Sequence, residues 1–135
     1  VKDLDFGHLQ VRVWNGKVIR HRPATLAPEL VPLLQNQVER VRLYLKEDSA
    51  NEQFAGAWLP VAYARKSPGA GFTLGWQYLF PGRKLSFDPA GKCLRRHHVD
   101  ESTINKFLRR AAKAAGVEKT VTSHTLRHCF ATHLL

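Results

Sequence analysis

Two stretches of this chain repeat apolar residues at three- and four-residue spacing, a period that only an amphipathic helix turns into one continuous face. Leu30, Leu34, Val38, Val41 and Leu45 predict a helix over 29–47, with Pro32 tolerated only near its first turn. Ile104, Phe107, Leu108, Ala111 and Ala115 predict a second over 100–115, those side chains inward and Gly116 as its stop. A third helix begins near Ser123 or His124 and places Phe130, Leu134 and Leu135 in a core. Before these helices the period drops to two. Asp3–Phe6 and His8–Trp14 read as strands, Asn15-Gly16 as the hairpin turn, and a return strand leads to Ala24-Thr25-Leu26. The expected fold is mainly α with a small antiparallel β-sheet, an α+β arrangement. Residues 1–27 form the sheet, 29–47 a helix, 51–98 an insertion-like segment with a short helix around Pro60 to Lys66, and 100–135 the remaining helices.

Charge narrows the class of partner. Lys and Arg number 21 against 11 Asp and Glu, a net charge of +10, and the pI is about 10.1. A polyanion is the expected partner. No acid occurs from Phe6 to Pro28, where Arg12, Lys17, Arg20 and Arg22 cluster with His21. A second basic run leads from Lys92 through Arg95, Arg96, His97, His98, Lys106, Arg109 and Arg110 to Lys113. Neither run has the strong apolar face of a membrane-docking helix, and no stretch reaches the roughly 18 apolar residues of a membrane span. The two thiols, Cys93 and Cys129, make no disulfide framework, so a cytoplasmic setting is expected. A basic surface that merely aids solubility is the competing account of the charge.

The final run, His124-Thr125-Leu126-Arg127-His128-Cys129-Phe130-Ala131-Thr132-His133-Leu134-Leu135, carries the chemistry. Residues three apart share a helix face, so His124 and Arg127 converge on one small anion. A planar guanidinium grips two phosphate oxygens, and an imidazole binds a third or moves a proton near neutral pH. Lys17, beside the Asn15-Gly16 turn, is the candidate proton donor to a leaving oxygen. His124 and His128, four apart, also have the spacing of two zinc ligands. That alternative lacks the glutamate between the histidines that zinc hydrolases use, and Arg127 would repel the metal.

The His-x-Leu-Arg-His run with its small and apolar helix closely resembles a signature of the tyrosine recombinases, the phage-integrase family. In that family a hairpin Gly-Lys carries the general-acid lysine, which Gly16-Lys17 matches. The resemblance implies DNA as partner and strand exchange through a tyrosyl-phosphate intermediate, without metal or nucleotide cofactor. Self-association on DNA is implied for the full-length parent. The family hairpin usually reads Gly-Lys-Gly-x-Lys-x-Arg, whereas this chain has Gly16-Lys17-Val18-Ile19-Arg20-His21-Arg22, with β-branched residues in place of a glycine turn. The family's first catalytic arginine is expected before Val1, and its Leu-Gly-His motif and nucleophilic tyrosine after Leu135. The 135 residues are therefore expected to be a partial catalytic domain that forms no covalent DNA adduct alone.

Within the middle segment, Trp58-Leu59-Pro60, Arg65-Lys66-Ser67-Pro68, Trp76-Gln77-Tyr78-Leu79-Phe80-Pro81, Asp88-Pro89 and Arg95-Arg96-His97-His98 resemble the insertion of integron integrases. That branch recombines gene cassettes at folded single strands with bases flipped out of the stem. Trp76, Tyr78, Pro81, His97 and His98 are then candidate base contacts, and Arg20, Arg22, Arg95 and Arg96 candidate DNA contacts. Trp76, Tyr78 and Phe80 could equally close a small satellite core. A non-catalytic DNA-binding or regulatory module using the same basic face is the alternative to the recombinase.

Overall fold

The computed structural model describes residues 1–14 and 22–133. The Asn15-Gly16 turn, Lys17, Arg20, His21, Leu134 and Leu135 lie outside the described residues. The chain divides into two compact units, Val1–His98 and Val99–Leu135. The expected α+β character holds.

In the first unit, β1 (Leu4–Asp5), β2 (Gln10–Val13) and β3 (Arg22–Thr25) form an antiparallel sheet in that order. Leu4 pairs with Val11, and Arg12 and Val13 pair with Pro23 and Arg22. Pro23 cannot donate to a ladder, and it stands on an edge strand, where that loss is tolerated. Leu9 turns the chain into β2 with a φ of 51°.

A single 3-10 turn, Pro28–Leu30, leads into α1 (Val31–Ser49). Pro32 occupies the first turn of α1, where its missing N–H has no intrahelical partner to lose. Val41 and Asp48 are buried on its inner side, and Leu34, Val38, Tyr44 and Leu45 are half-buried. Leu30, expected on that stripe, is exposed because it belongs to the tighter turn before the helix.

The core joins Leu26 and Val41 to Phe54, Ala57 and Leu59 of the middle segment. Phe54 meets Phe72 edge to face, centroids 5.7 Å apart. Here the backbones of Gly56 and Gly71 cross closely: a Cβ on Gly71 would lie 2.8 Å from the Ala57 carbonyl oxygen, and Gly56 has a φ of +73°. The Ala57 amide donates to the Gly71 carbonyl at 2.8 Å, and buried Gln77 Nε2 donates to the same oxygen at 2.7 Å.

The short helix expected around Pro60 is α2 (Val61–Lys66). The segment after it also contains a hairpin that the sequence does not announce, β4 (Ser86–Asp88) against β5 (Cys93–Arg95). Its strands are too short to display an alternating period. Its turn is organised by Asp88, whose Oδ1 accepts the amides of Ala90 at 3.1 Å and Gly91 at 3.5 Å.

The second unit holds α3 (Glu101–Ala114) and α4 (Ser123–His133). Asp100 caps α3 by accepting the Ser102 amide at 2.8 Å. Gly116 ends it at a φ of +70°, with Val117 N–H donating to the Ala112 carbonyl and Gly116 N–H to that of Lys113. These are the paired bonds of a Schellman cap.

The inward stripe expected on α3 is not buried. Ile104 is 44% and Phe107 61% exposed, Ala111 and Ala115 are exposed, and Leu108 alone of the five is half-buried. Phe130 of α4, expected in a core, is 55% exposed. Two helices and a loop supply no second layer to cover such faces, and no described residue of this unit is buried.

Candidate functional site

The start of α4 is built by short polar side chains. Thr122 and Thr125 cap each other: the Thr122 amide donates to Thr125 Oγ1 at 3.2 Å, and the Thr125 amide to Thr122 Oγ1 at 3.3 Å. The Ser123 amide donates to Asn105 Oδ1 of α3 at 3.0 Å. His124 and Arg127 follow within the first turns, both exposed, at the helix end where backbone N–H groups favour an anion. The His124 ring meets His128 edge to face, centroids 4.8 Å apart. Arg127 has no hydrogen bond or ion pair with any described residue, so its planar fork is open to a ligand. Among the described residues, no three His, Cys, Asp or Glu side chains gather as metal ligands.

On α3 the basic residues form one stripe. Lys106, Arg109, Arg110 and Lys113 repeat at helical spacing and are all exposed. In the sheet the basic cluster divides instead. Arg12 pairs with Pro23 and Arg22 with Val13, so the pleat sends Arg12 and Arg22 to opposite faces.

Arg12 shares its face with Trp14 at the rim of a cleft of about 620 Å³, also lined by Lys2, Trp58, Trp76 and Tyr78. Lys2 Nζ lies 4.6 Å from the Trp14 ring centroid and 4.9 Å from that of Trp76. Trp76 also packs against Tyr63 at 4.6 Å. Trp14 Nε1 donates to Asp3 Oδ1 at 2.7 Å. Burial works to raise the Asp3 carboxyl, but the Trp14 and Lys2 donors outweigh it and hold the carboxyl below its ordinary value. Sequence reasoning singled out Trp76 but missed Trp14 and Trp58 as its companions. The signal was available, since these are all the tryptophans of the chain.

Tyr78, Pro81, His97 and His98 do come together. The Tyr78 and His98 rings meet at 5.2 Å, Pro81 forms a β-bridge with His98, and the Gly82 amide donates to the His97 carbonyl at 2.7 Å. The two arginines before them take another role than expected. Arg95 donates through Nε to Asp88 at 3.2 Å and through Nη1 to the carbonyls of Ala55, Gly56 and Ala57 at 2.7–3.2 Å. Arg96 is only 8% exposed. Its Nε and Nη2 grip Asp48 at 2.6 and 2.7 Å, its Nη1 donates to the Gly82 carbonyl at 2.8 Å, and its guanidinium lies 4.2 Å from the Tyr44 ring. The expected DNA contacts are therefore turned inward here: the Arg96 guanidinium is buried and bonded within the fold, and Arg95 is largely engaged there too. The Asp48 hydrogen bond is the main reason the Arg96 pKa rises above its ordinary value. Asp88 is held below the usual carboxylate value: burial opposes this, but the Ala90 and Gly91 amides and Arg95 prevail.

Comparison with known proteins is decisive at this point. The model of the phage integrase family matches residues 1–135, the whole chain. The chain belongs to the phage integrase family. It is 42% identical over its full 135 residues to an integrase/recombinase of Escherichia coli and to one of Pseudomonas aeruginosa, covering 40% of each. A shorter match, 63% identical over 30 residues, links 22% of the chain to 10% of the tyrosine recombinase XerD of Listeria monocytogenes. The chain thus spans 40% of the length of the first two relatives. Among the described residues, no helix of this family member is long and apolar enough to cross a membrane.

Proposed function

We propose that this chain is the DNA-engaging part of the catalytic domain of a site-specific tyrosine recombinase, of the branch that recombines gene cassettes. The observation that carries the reading is His124 and Arg127, three residues apart on the first turns of α4, with Arg127 bound to no other described residue, in a chain matched throughout by the family. In the reaction a tyrosine hydroxyl gives up its proton to a base or to water as its oxygen attacks the scissile phosphate, the tyrosyl-phosphate bond forms, and the bond to the 5′ oxygen breaks. Negative charge grows on the non-bridging oxygens. Arg127 offers two parallel N–H donors to it and His124 a third, which stabilises the transition state more than the ground state. Lys17 delivers the proton that the leaving 5′ oxygen requires. The tyrosines present, Tyr44, Tyr63 and Tyr78, all belong to the first unit. The attacking hydroxyl in this proposal comes from sequence outside the 135 residues.

DNA is held by phosphate contacts from Arg22 and the α3 stripe, and folded single-stranded sites by Trp76, Tyr78, Pro81, His97 and His98. The aromatic and imidazole types support the second part, because extrahelical bases are retained by stacking. Lys106, Arg109, Arg110 and Lys113 support the first, because they present four cations along one exposed helix face. The test is an anisotropy titration of the chain on a bulged hairpin and on the fully paired duplex of the same sequence. The reading expects both to bind and the hairpin to bind tighter. Failure to bind either would remove it, and equal binding would remove the cassette-site part alone.

A further inference from the structure

We propose that Asp48 and Arg96 are positioning residues for the Pro81, His97 and His98 surface, holding it in the shape that receives an extrahelical base. This rests on the reading that the surface contacts such bases. The fork of Arg96 is fixed on one side by the two carboxylate oxygens of Asp48 and the ring of Tyr44, which stand one turn apart on α1. On the other side Nη1 donates to the Gly82 carbonyl, and the amide of Gly82 donates back to the carbonyl of His97. The side chain and the backbone next to it thus close a ring around the Pro81-Gly82 corner. His98, one residue further, bridges Pro81 and rests its ring against Tyr78. Pro81, His97 and His98 therefore each stand within two residues of Arg96 or of the Gly82 carbonyl it holds, and Tyr78 meets them through the His98 ring.

Stability alone is a poor account of this pair. A buried ion pair frequently contributes no more than apolar residues of similar volume, because desolvating both charges offsets their attraction. What a planar fork does supply is direction: its two parallel bonds set the plane and the third donor then has one place to reach. A lysine keeps the charge and fills much of the same space, yet it cannot hold Asp48 with two parallel bonds and Gly82 with a third. Gly82 fits the same design, since a Cβ there would stand 3.3 Å from the His97 carbonyl oxygen and press the corner away from it.

Arg96→Lys separates positioning from folding. Anisotropy on the bulged hairpin and on its fully paired duplex is read together with the His98 ring-proton resonances, which the Tyr78 ring shifts. The proposal expects hairpin affinity to fall about tenfold, the equivalent of losing one stacked base. Duplex affinity should stay within about twofold, because phosphate contacts are a separable term, and the His98 resonances should move. Gly82→Ala, which leaves the Asp48–Arg96 pair in place, should give the same selective loss and serves as the second arm if the lysine variant does not fold. A hairpin preference that survives both substitutions overturns the proposal and leaves the base-contact reading standing. Equal loss on both substrates in a folded variant overturns it as well. If the unaltered chain shows no hairpin preference, the base-contact reading fails and the proposal falls with it.

Discussion

The amide of Ser123 donates to the side-chain carbonyl of Asn105 at 3.0 Å, which fastens the first turn of α4 to the second turn of α3. His124 and Arg127 are thereby set against the helix that carries Lys106, Arg109, Arg110 and Lys113. For the phosphate site proposed above such support matters, since a small misplacement of a positioned donor is costly. The reciprocal Thr122 and Thr125 cap holds the same turn from the other side.

Binding to duplex DNA should weaken steeply with salt. If the exposed basic residues neutralise about five phosphates, log K against log salt concentration falls with a slope near −4.5. Replacing Arg109 by alanine should make the slope shallower by about one. Anisotropy titrations across a salt series measure both, and a flat response would exclude polyanion binding.

Trp76→Ala should reduce affinity for a bulged hairpin by roughly tenfold, with duplex affinity nearly unchanged. The competing outcome is informative, because Trp76 is also half-buried against Tyr63. Equal loss on both substrates, together with a lower melting temperature, would assign Trp76 to the packing of its cleft.

Lys17 and Arg127 should fail in different ways in a recombinase that contains this segment. Arg127→Ala removes a preorganised donor and should slow strand cleavage by about 10²–10³. Lys17→Ala should be rescued by a substrate with a 5′-bridging sulfur, a leaving group that needs no proton, whereas Arg127→Ala should not. Covalent adduct on a denaturing gel gives the rates, and rescue of both variants alike would remove the general-acid role.

Acid should destabilise the first unit through Asp88. Its carboxyl is held below the ordinary value in the folded chain. Its contribution is therefore present above the unfolded value of about 3.9 and is lost as pH falls through the lower folded value. Asp3 and Asp5 are shifted the same way, so Asp88→Asn should flatten the acid limb without abolishing it. Denaturant midpoints between about pH 2 and pH 6 show this, and an acid limb unchanged in the asparagine variant would rule it out.

The sequence was most legible where a period ran long. The α1 and α3 spans, the sheet strands and the start of α4 all follow from spacing, caps and breakers, because each is decided by neighbours within a turn or two. The β4–β5 hairpin was not legible, since a three-residue strand has no period to read. The inward engagement of Arg95 and Arg96 was not legible for a related reason. A basic pair looks the same in sequence whether it faces DNA or a buried carboxylate 48 positions away. Ile104, Phe107 and Phe130 were misjudged because an apolar stripe announces a face to be covered, and nothing within residues 99–135 covers it.

Trp14, Trp58 and Trp76 around one cleft have an optical consequence. All indole emission of the chain originates in residues 1–98, from a spot where the Lys2 ammonium lies near two of the rings. Indole emission therefore reports from the first unit, while circular dichroism registers the helices of α3 and α4 together with α1. Two transitions that separate when followed by these two signals would reveal that the units melt independently, and a single fluorescence curve would hide it.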